Sequence, residues 1–131
     1  MDDLSRAMAT SSSALSAQAL RLRLIAENLA GADVPGFRRK LVSFDVAQEG
    51  AAGAARVVPG RVRLDRTPVA EVLEPGHPLA DADGLRPGSN VDPIIEIADA
   101  REAHRSYEAS LSMFDQARRM RGGLLDLLQR R

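Results

Sequence analysis

The feature that most constrains this chain is its C-terminal run from Asn90 to about Leu128. There Ala103, Tyr107, Ser110, Phe114, Ala117, Arg121, Leu124 and Leu128 fall in alternating steps of four and three. That spacing predicts one long amphipathic helix with an a/d seam, interrupted by a small hydroxyl at Ser110 and a charge at Arg121. Ile97, Leu111 and Leu125 widen the stripe on one shoulder, and Met113 and Met120 on the other. The start signal is strong. Asp92 is a good N-cap because its carboxylate accepts from the unpaired N–H groups of the first turn, and Pro93 falls where a missing N–H costs nothing. Such a helix is roughly 50 Å long at 1.5 Å per residue, against about 11–12 residues for an ordinary helix. A chain of 131 residues cannot easily bury that length in one core, so the helix needs a partner along it. Gly122-Gly123 either bends its last turns or is tolerated there by tight packing.

A second helical pattern runs from Asp3 to Ala30. Leu4, Met8, Ser11, Leu15, Gln18, Leu22, Ile25 and Leu29 repeat the four–three alternation, with polar residues again set into the seam. Polar seam positions weaken a helix alone and favour a register-specific interface. Ser11-Ser12-Ser13 lowers helix propensity, so residues up to about Ser13 are expected to fray until something packs on them. Gly31 is expected to end the helix in the left-handed conformation, with Pro35-Gly36 turning the chain just beyond. Two terminal helices with matching heptads pair most simply with each other as an antiparallel coil. The plain alternative to an intermolecular role is that both stripes form intramolecular core.

Between the helices the period changes. Val42, Phe44 and Val46 alternate with Leu41, Ser43 and Asp45 as in a half-buried strand. Val57-Val58, Val62 to Asp65 and Val69 to Leu73 read as further short strands. Gly50 to Ala55 reads as a mobile Ala/Gly loop, and Pro59-Gly60, Pro75-Gly76, Asp83-Gly84 and Pro87-Gly88 as turns. The expected fold class is therefore α+β and mainly α. Residues 1–36 with 90–131 form the helical coiled-coil part, and 37–89 a small β-rich insert.

Composition removes several functions. Eighteen Lys+Arg against eighteen Asp+Glu leaves no net charge, so binding of nucleic acid would need a local patch. The candidates are Arg38-Arg39-Lys40, Arg118 to Arg121 and Arg130-Arg131, with almost no aromatics to stack bases, and no nucleic-acid partner is expected. There is no Cys, which excludes disulfides, thiolate metal sites and cysteine nucleophiles. No apolar run approaches the roughly 18–20 residues of a membrane span. Asp2 and Asp3 oppose a secretory signal, so any export is expected to proceed without a cleavable one.

The most site-like cluster is Glu74-Pro75-Gly76-His77, then Asp81-Ala82-Asp83-Gly84. Paired carboxylates beside a glycine suggest the start of a calcium loop, but the later bidentate Glu is replaced by Arg86-Pro87. His77 and Asp81 lack a nucleophile, a second His or a phosphate-cradling loop. Hydrogen-bonded turns are the expected role. His104 has only Glu108 at i+4, which favours packing or solvent over metal ligation. Catalytic, metal and cofactor sites are all expected to be absent, and the chain is not expected to be an enzyme.

Three stretches together resemble the flagellar basal-body rod family, whose members also build the hook and its junctions. The first is Ala14-Leu15-Ser16-Ala17-Gln18, on to Glu27-Asn28-Leu29-Ala30 and Gly36-Phe37-Arg38-Arg39-Lys40. The second, Glu74 to Gly84, is similar to a segment typical of the C-type proximal rod subunits. The third is Ser89-Asn90-Val91-Asp92, Glu96 to Arg101, and Arg105-Ser106-Tyr107-Glu108-Ala109. The chain departs from the family pattern at Gly31, where Asn is usual, and at Val34, Leu85 and Ser110.

The resemblance implies a structural subunit of the periplasmic drive shaft that transmits torque from motor to hook. The terminal helices would form an inner tube of coiled coils. The contact residues it points to are Leu15, Gln18, Leu22, Ile25, Asn28 and Leu29 in the first helix and its end. In the second they are Asn90, Tyr107, Ser110, Phe114, Ala117, Arg121, Leu124 and Leu128. Implied partners are copies of the chain, other rod subunits, the membrane-ring and rod-base components, and the flagellar type III export apparatus. Direct membrane insertion is not implied. A soluble coiled-coil adaptor or export chaperone of the flagellar apparatus is the alternative.

Overall fold

The computed structural model describes residues 2–48 and 53–130. Two long helices dominate it: α1 (Asp2–Ala30) and α2 (Pro93–Gln129). Between them lie β1 (Lys40–Leu41), β2 (Phe44–Gln48), β3 (Ala55–Pro59), β4 (Arg63–Leu64), β5 (Glu71–Leu73) and β6 (Leu85–Pro87). The strands form three antiparallel pairs, β1 with β4, β2 with β3 and β5 with β6. The fold class is α+β and mainly α, as the two periodicities require.

The caps explain where α2 begins. Asp92 is extended and its carboxylate accepts from the Ile94 N–H at 3.0 Å, with Pro93 in the first turn. The helix then runs unbroken through Gly122 and Gly123 to Gln129, 37 residues or about 55 Å. The end of α1 differs from expectation. Gly31 is not left-handed; the left-handed glycines among the described residues are Gly36 and Gly84, with φ of 74° and 76°. Gly31 continues the helical bonding, its N–H donating to Glu27 O at 3.0 Å and Asn28 O at 3.1 Å. Glycine is required there for space, since a Cβ would sit 2.4 Å from the Phe37 ring. The chain turn itself is made by Gly36.

The helices lie antiparallel. Asn28 meets Glu96, while Arg21, two turns earlier in α1, meets Asp99 and Glu102 further along α2. The buried apolar residues are few and mostly small: Ala17 of α1 and Ala103 and Ala117 of α2, together with Leu24 and Ile25. The β2–β3 hairpin lies across the first half of α1. Thr10 donates its hydroxyl proton to Ala55 O at 2.6 Å, and the Val57 N–H donates to Ser13 Oγ at 2.9 Å. The serine-rich start of α1 is thus helical from Asp2, and the segment that packs on it belongs to the chain itself.

The strand pattern differs from expectation in three ways. The run from Leu41 to Val46 is split between β1 and β2, because β1 pairs with β4 and β2 with β3. Two expected strands are shorter than read, Glu71–Leu73 within the Val69 to Leu73 stretch and Arg63–Leu64 within Val62 to Asp65. Leu85–Pro87, which lies between the expected turns at Asp83-Gly84 and Pro87-Gly88 and is not expected as a strand, is one because β5 pairs with it. The expected Gly50 to Ala55 loop falls partly outside the described residues, and Ala55 opens β3.

Candidate functional site

The segment Ala32 to Lys40, which leads out of α1, threads between the chain entering β5 and the chain entering α2. Ser89 donates its hydroxyl proton to Ala32 O at 2.6 Å, and the Gly36 N–H donates to Gly88 O at 2.9 Å. Asn90 holds two segments at once: its Oδ1 accepts from the Arg39 N–H at 2.6 Å, and its Nδ2 donates to Asp65 O at 3.0 Å and Thr67 O at 3.1 Å. Asn28, at the end of α1, grips a single residue. Its Oδ1 accepts from the Lys40 N–H at 2.8 Å while its Nδ2 donates to Lys40 O at 3.0 Å. An amide side chain gripping both backbone groups of one residue substitutes for a neighbouring strand.

Glu96 sits at the centre of this junction, fully buried in the first turn of α2. One carboxylate oxygen accepts from Arg39 Nε in a short contact, and the other from Asn28 Nδ2 at 3.4 Å. Arg39 also reaches Asp99 at 3.1 Å, and Arg21 reaches Asp99 at 3.9 Å. Lys40 pairs with Glu27 at 2.7 Å, and this hydrogen bond holds the Glu27 carboxyl below its ordinary range. A buried ion pair contributes little net stability, but removing one partner costs about 3–5 kcal/mol. The junction therefore fixes the register of α1 on α2. Arg39 and Lys40, candidates for a basic patch, have their charges answered by acidic residues of the two helices.

The opposite end of the helix pair is open. Carried forward, the antiparallel register brings the start of α1 opposite about residue 121, so the last turns of α2 project past it. Every described residue from Arg118 to Arg130 is exposed. Leu124, Leu125, Leu127 and Leu128 lie on this projecting segment, the last two 64% and 65% exposed.

The expected contact residues divide along this line. In α2, Ala117 is buried, Tyr107, Ser110 and Phe114 are half-buried, and Arg121, Leu124 and Leu128 are exposed. In α1, Ile25 and Asn28 are buried, and Leu15, Gln18, Leu22 and Leu29 are half-buried. Gln18 Oε1 is a buried acceptor with no donor among the described residues. Asn28 and Asn90, expected at contacts between subunits, have their amides bonded to the chain's own backbone. Sequence reasoning missed Glu96, Asp99 and Ser13 as anchoring groups. A carboxylate in the first turn of a helix ordinarily reads as a solvated partner of the helix dipole.

The acidic turn is built as a turn. The His77 Nδ1 accepts from the Leu79 N–H at 3.0 Å, and one Asp81 oxygen accepts from the Asp83 and Leu85 N–H groups at 2.9 Å each. Among the described residues no cluster of three His, Asp or Glu side chains is placed to hold a metal ion. Nor is any helix long and apolar enough to cross a membrane.

A register-locked pair of long helices, with the last turns of one exposed, defines a helical structural protein with no catalytic cluster among the residues described above. Residues 8–38 match the family described as flagella basal body rod protein, and 87–127 the family described as flagellar basal body rod FlgEFG protein C-terminal. The flagellar basal-body rod protein FlgC of Agrobacterium fabrum is 39% identical over 98% of each chain. FlgC of Salmonella typhimurium is 40% identical over 82% of this chain and 85% of its own. FlgC of Yersinia enterocolitica is 38% identical over 79% and 81%. The chain belongs to the flagellar basal-body rod protein family and is of the FlgC type.

Proposed function

We propose that this chain is a structural subunit of the flagellar basal-body rod that assembles through its terminal helices with copies of itself and with other rod subunits. The observation that carries the reading is the uncovered end of α2. Four leucines within five residues lie on a segment with no helix beside it among the described residues, and each leucine is worth about 1.5–3 kcal/mol on full burial. A neighbouring subunit supplies that burial. A contact that joins one end of a subunit to a different surface of the next does not close on itself, and so builds filaments and tubes. Torque then passes through many packed seams and needs no catalytic group.

In this reading the rod crosses the periplasm and meets the membrane-ring and rod-base components at its ends. The subunit reaches its place through the flagellar type III export apparatus without a cleavable signal. The test is mass spectrometry of detergent-extracted basal bodies from cells expressing this 14.1 kDa chain. Several copies per particle are expected. Recovery of the chain only as a soluble cytoplasmic oligomer would overturn the rod reading in favour of the adaptor or chaperone.

A further inference from the structure

The charges of the β-rich insert are segregated. Arg38, Arg61, Arg63 and Arg66 line an open groove of about 940 Å³ together with Leu41, Val62, Leu64 and Asp65. Among the described residues no carboxylate pairs with Arg61, Arg63 or Arg66. The adjoining Asp65 instead accepts from the Thr67 N–H at 2.9 Å. Leu64, a large apolar side chain lining the same groove, is 56% exposed.

The β5–β6 hairpin carries the opposite pattern. From Glu71 to Asp83 it holds four carboxylates and no Lys or Arg. Asp81 and Glu74 stiffen the tip, the first through its two backbone N–H bonds and the second by pairing with Arg86. The Asp83 carboxylate is left without an ion pair among the described residues, and Leu79, in the same turn region, is 58% exposed. A rigid tip bearing a free carboxylate and a leucine matches a groove lined by free arginines and a leucine.

The geometry points to a second copy of this chain as the occupant of the groove. The Asp83 tip of one copy seats among Arg61, Arg63 and Arg66 of the next. Zero net charge on the chain means that copies do not repel as they approach, while their separated patches attract. The contact joins two different surfaces, so it propagates, and it lies on the insert away from the helical seams. It rests on the rod reading, since copies must stand side by side for it to form.

The chain has no cysteine, which makes cross-linking specific. Val62→Cys and Ala82→Cys, each leaving the charges intact, are placed in two separate full-length copies expressed together in flagellated cells. Oxidation of the isolated basal bodies is expected to give a disulfide dimer that neither single variant gives alone. Arg63→Glu in the Val62→Cys copy is expected to abolish the dimer, and Asp83→Lys in the other copy to restore it. Both copies present in basal bodies without the dimer would overturn the contact and leave the rod reading standing. A dimer indifferent to the charge reversals would overturn the charge complementarity. Loss of the Arg63→Glu chain from basal bodies, with no dimer formed by the parent pair, would give the groove to a different subunit and overturn the assignment. Absence of the unaltered chain from basal bodies would refute the rod reading and this contact with it.

Discussion

Arg39 and Glu96 form a pair whose two halves are expected to fail unequally. Glu96 is fully buried, and apart from Arg39 its carboxylate has one long bond from Asn28 at 3.4 Å. Arg39→Ala therefore strands a negative charge in the junction, and the expected cost is the full 3–5 kcal/mol of a broken buried pair. Glu96→Gln is milder. The Arg39 side chain is 22% exposed and keeps Asp99 at 3.1 Å, so its charge remains answered. Asn28 keeps both bonds to Lys40. The expected loss is then about 1–2 kcal/mol, that of a charged hydrogen bond replaced by a neutral one.

Urea unfolding followed by far-ultraviolet circular dichroism reads both numbers. With a slope of about 2 kcal/mol per molar, Arg39→Ala lowers the midpoint by about 2 M and Glu96→Gln by about 0.5–1 M. The double variant is expected to be less damaged than the sum, because the second change removes the charge that the first strands. Equal losses for the two single variants, or strict additivity, would refute the account of Glu96 as the charge that Arg39 must answer.

Gly31→Asn restores the residue usual in the family, yet it is expected to destabilise this chain by about 1–3 kcal/mol, because its Cβ meets the Phe37 ring at 2.4 Å. Thermal melts of Gly31→Asn with and without Phe37→Ala would check this, the penalty shrinking once the ring is gone. Gly122→Ala and Gly123→Ala are each expected to raise the melting temperature of the free chain, by about 1 kcal/mol of helix propensity, since nothing lies within 4 Å of a Cβ at either position. A loss of swimming in soft agar despite that gain would show that neighbouring subunits approach closest there. Phe114→Asp, half-buried on the α1-facing seam, is expected to abolish swimming while the protein is still synthesised, and normal motility would refute the seam's role in assembly. Glu27 and Glu74 are held below their ordinary range by hydrogen bonds from Lys40 and Arg86. A depressed carboxyl stabilises the fold above that range, and its contribution is lost as pH falls through the folded value. Lys40→Met with Arg86→Met is therefore expected to flatten the acid limb of the unfolding midpoint against pH.

The helices were legible because their signals are local. Asp92 and Pro93 mark the start of α2 in two adjacent residues, and the four–three spacing marks its face. The α1 seam was less legible. Periodicity is dominated by large apolar residues, so Leu15, Leu22 and Leu29 stand out, whereas Ala17 is 2% exposed and those three leucines are only half-buried. Small residues carry little hydrophobic signal although they permit the nearest approach. β6 and the junction were illegible for a different reason. Leu85–Pro87 is a strand only because β5 lies beside it, and Glu96 is buried only because Arg39, far away in sequence, comes to meet it. Such non-local partners leave no trace in spacing.

The two ends of the helix pair differ in chemistry. At the junction nearly every contact is polar and directional, and Asn28, Asn90, Arg39 and Glu96 fasten the chain to itself in one register. At the far end the exposed apolar residues are Met120, Leu124, Leu125, Leu127 and Leu128, set among arginines, and such side chains pack without strict geometry. A subunit built this way enters an assembly with its helix register already set, so a neighbour has only to cover an apolar stripe. That division reduces the ordering entropy left for the assembly step. It also predicts where changes are tolerated: an apolar swap such as Leu127→Met should leave the rod intact, whereas a swap of equal size at the junction, such as Glu96→Gln, loosens every copy at once.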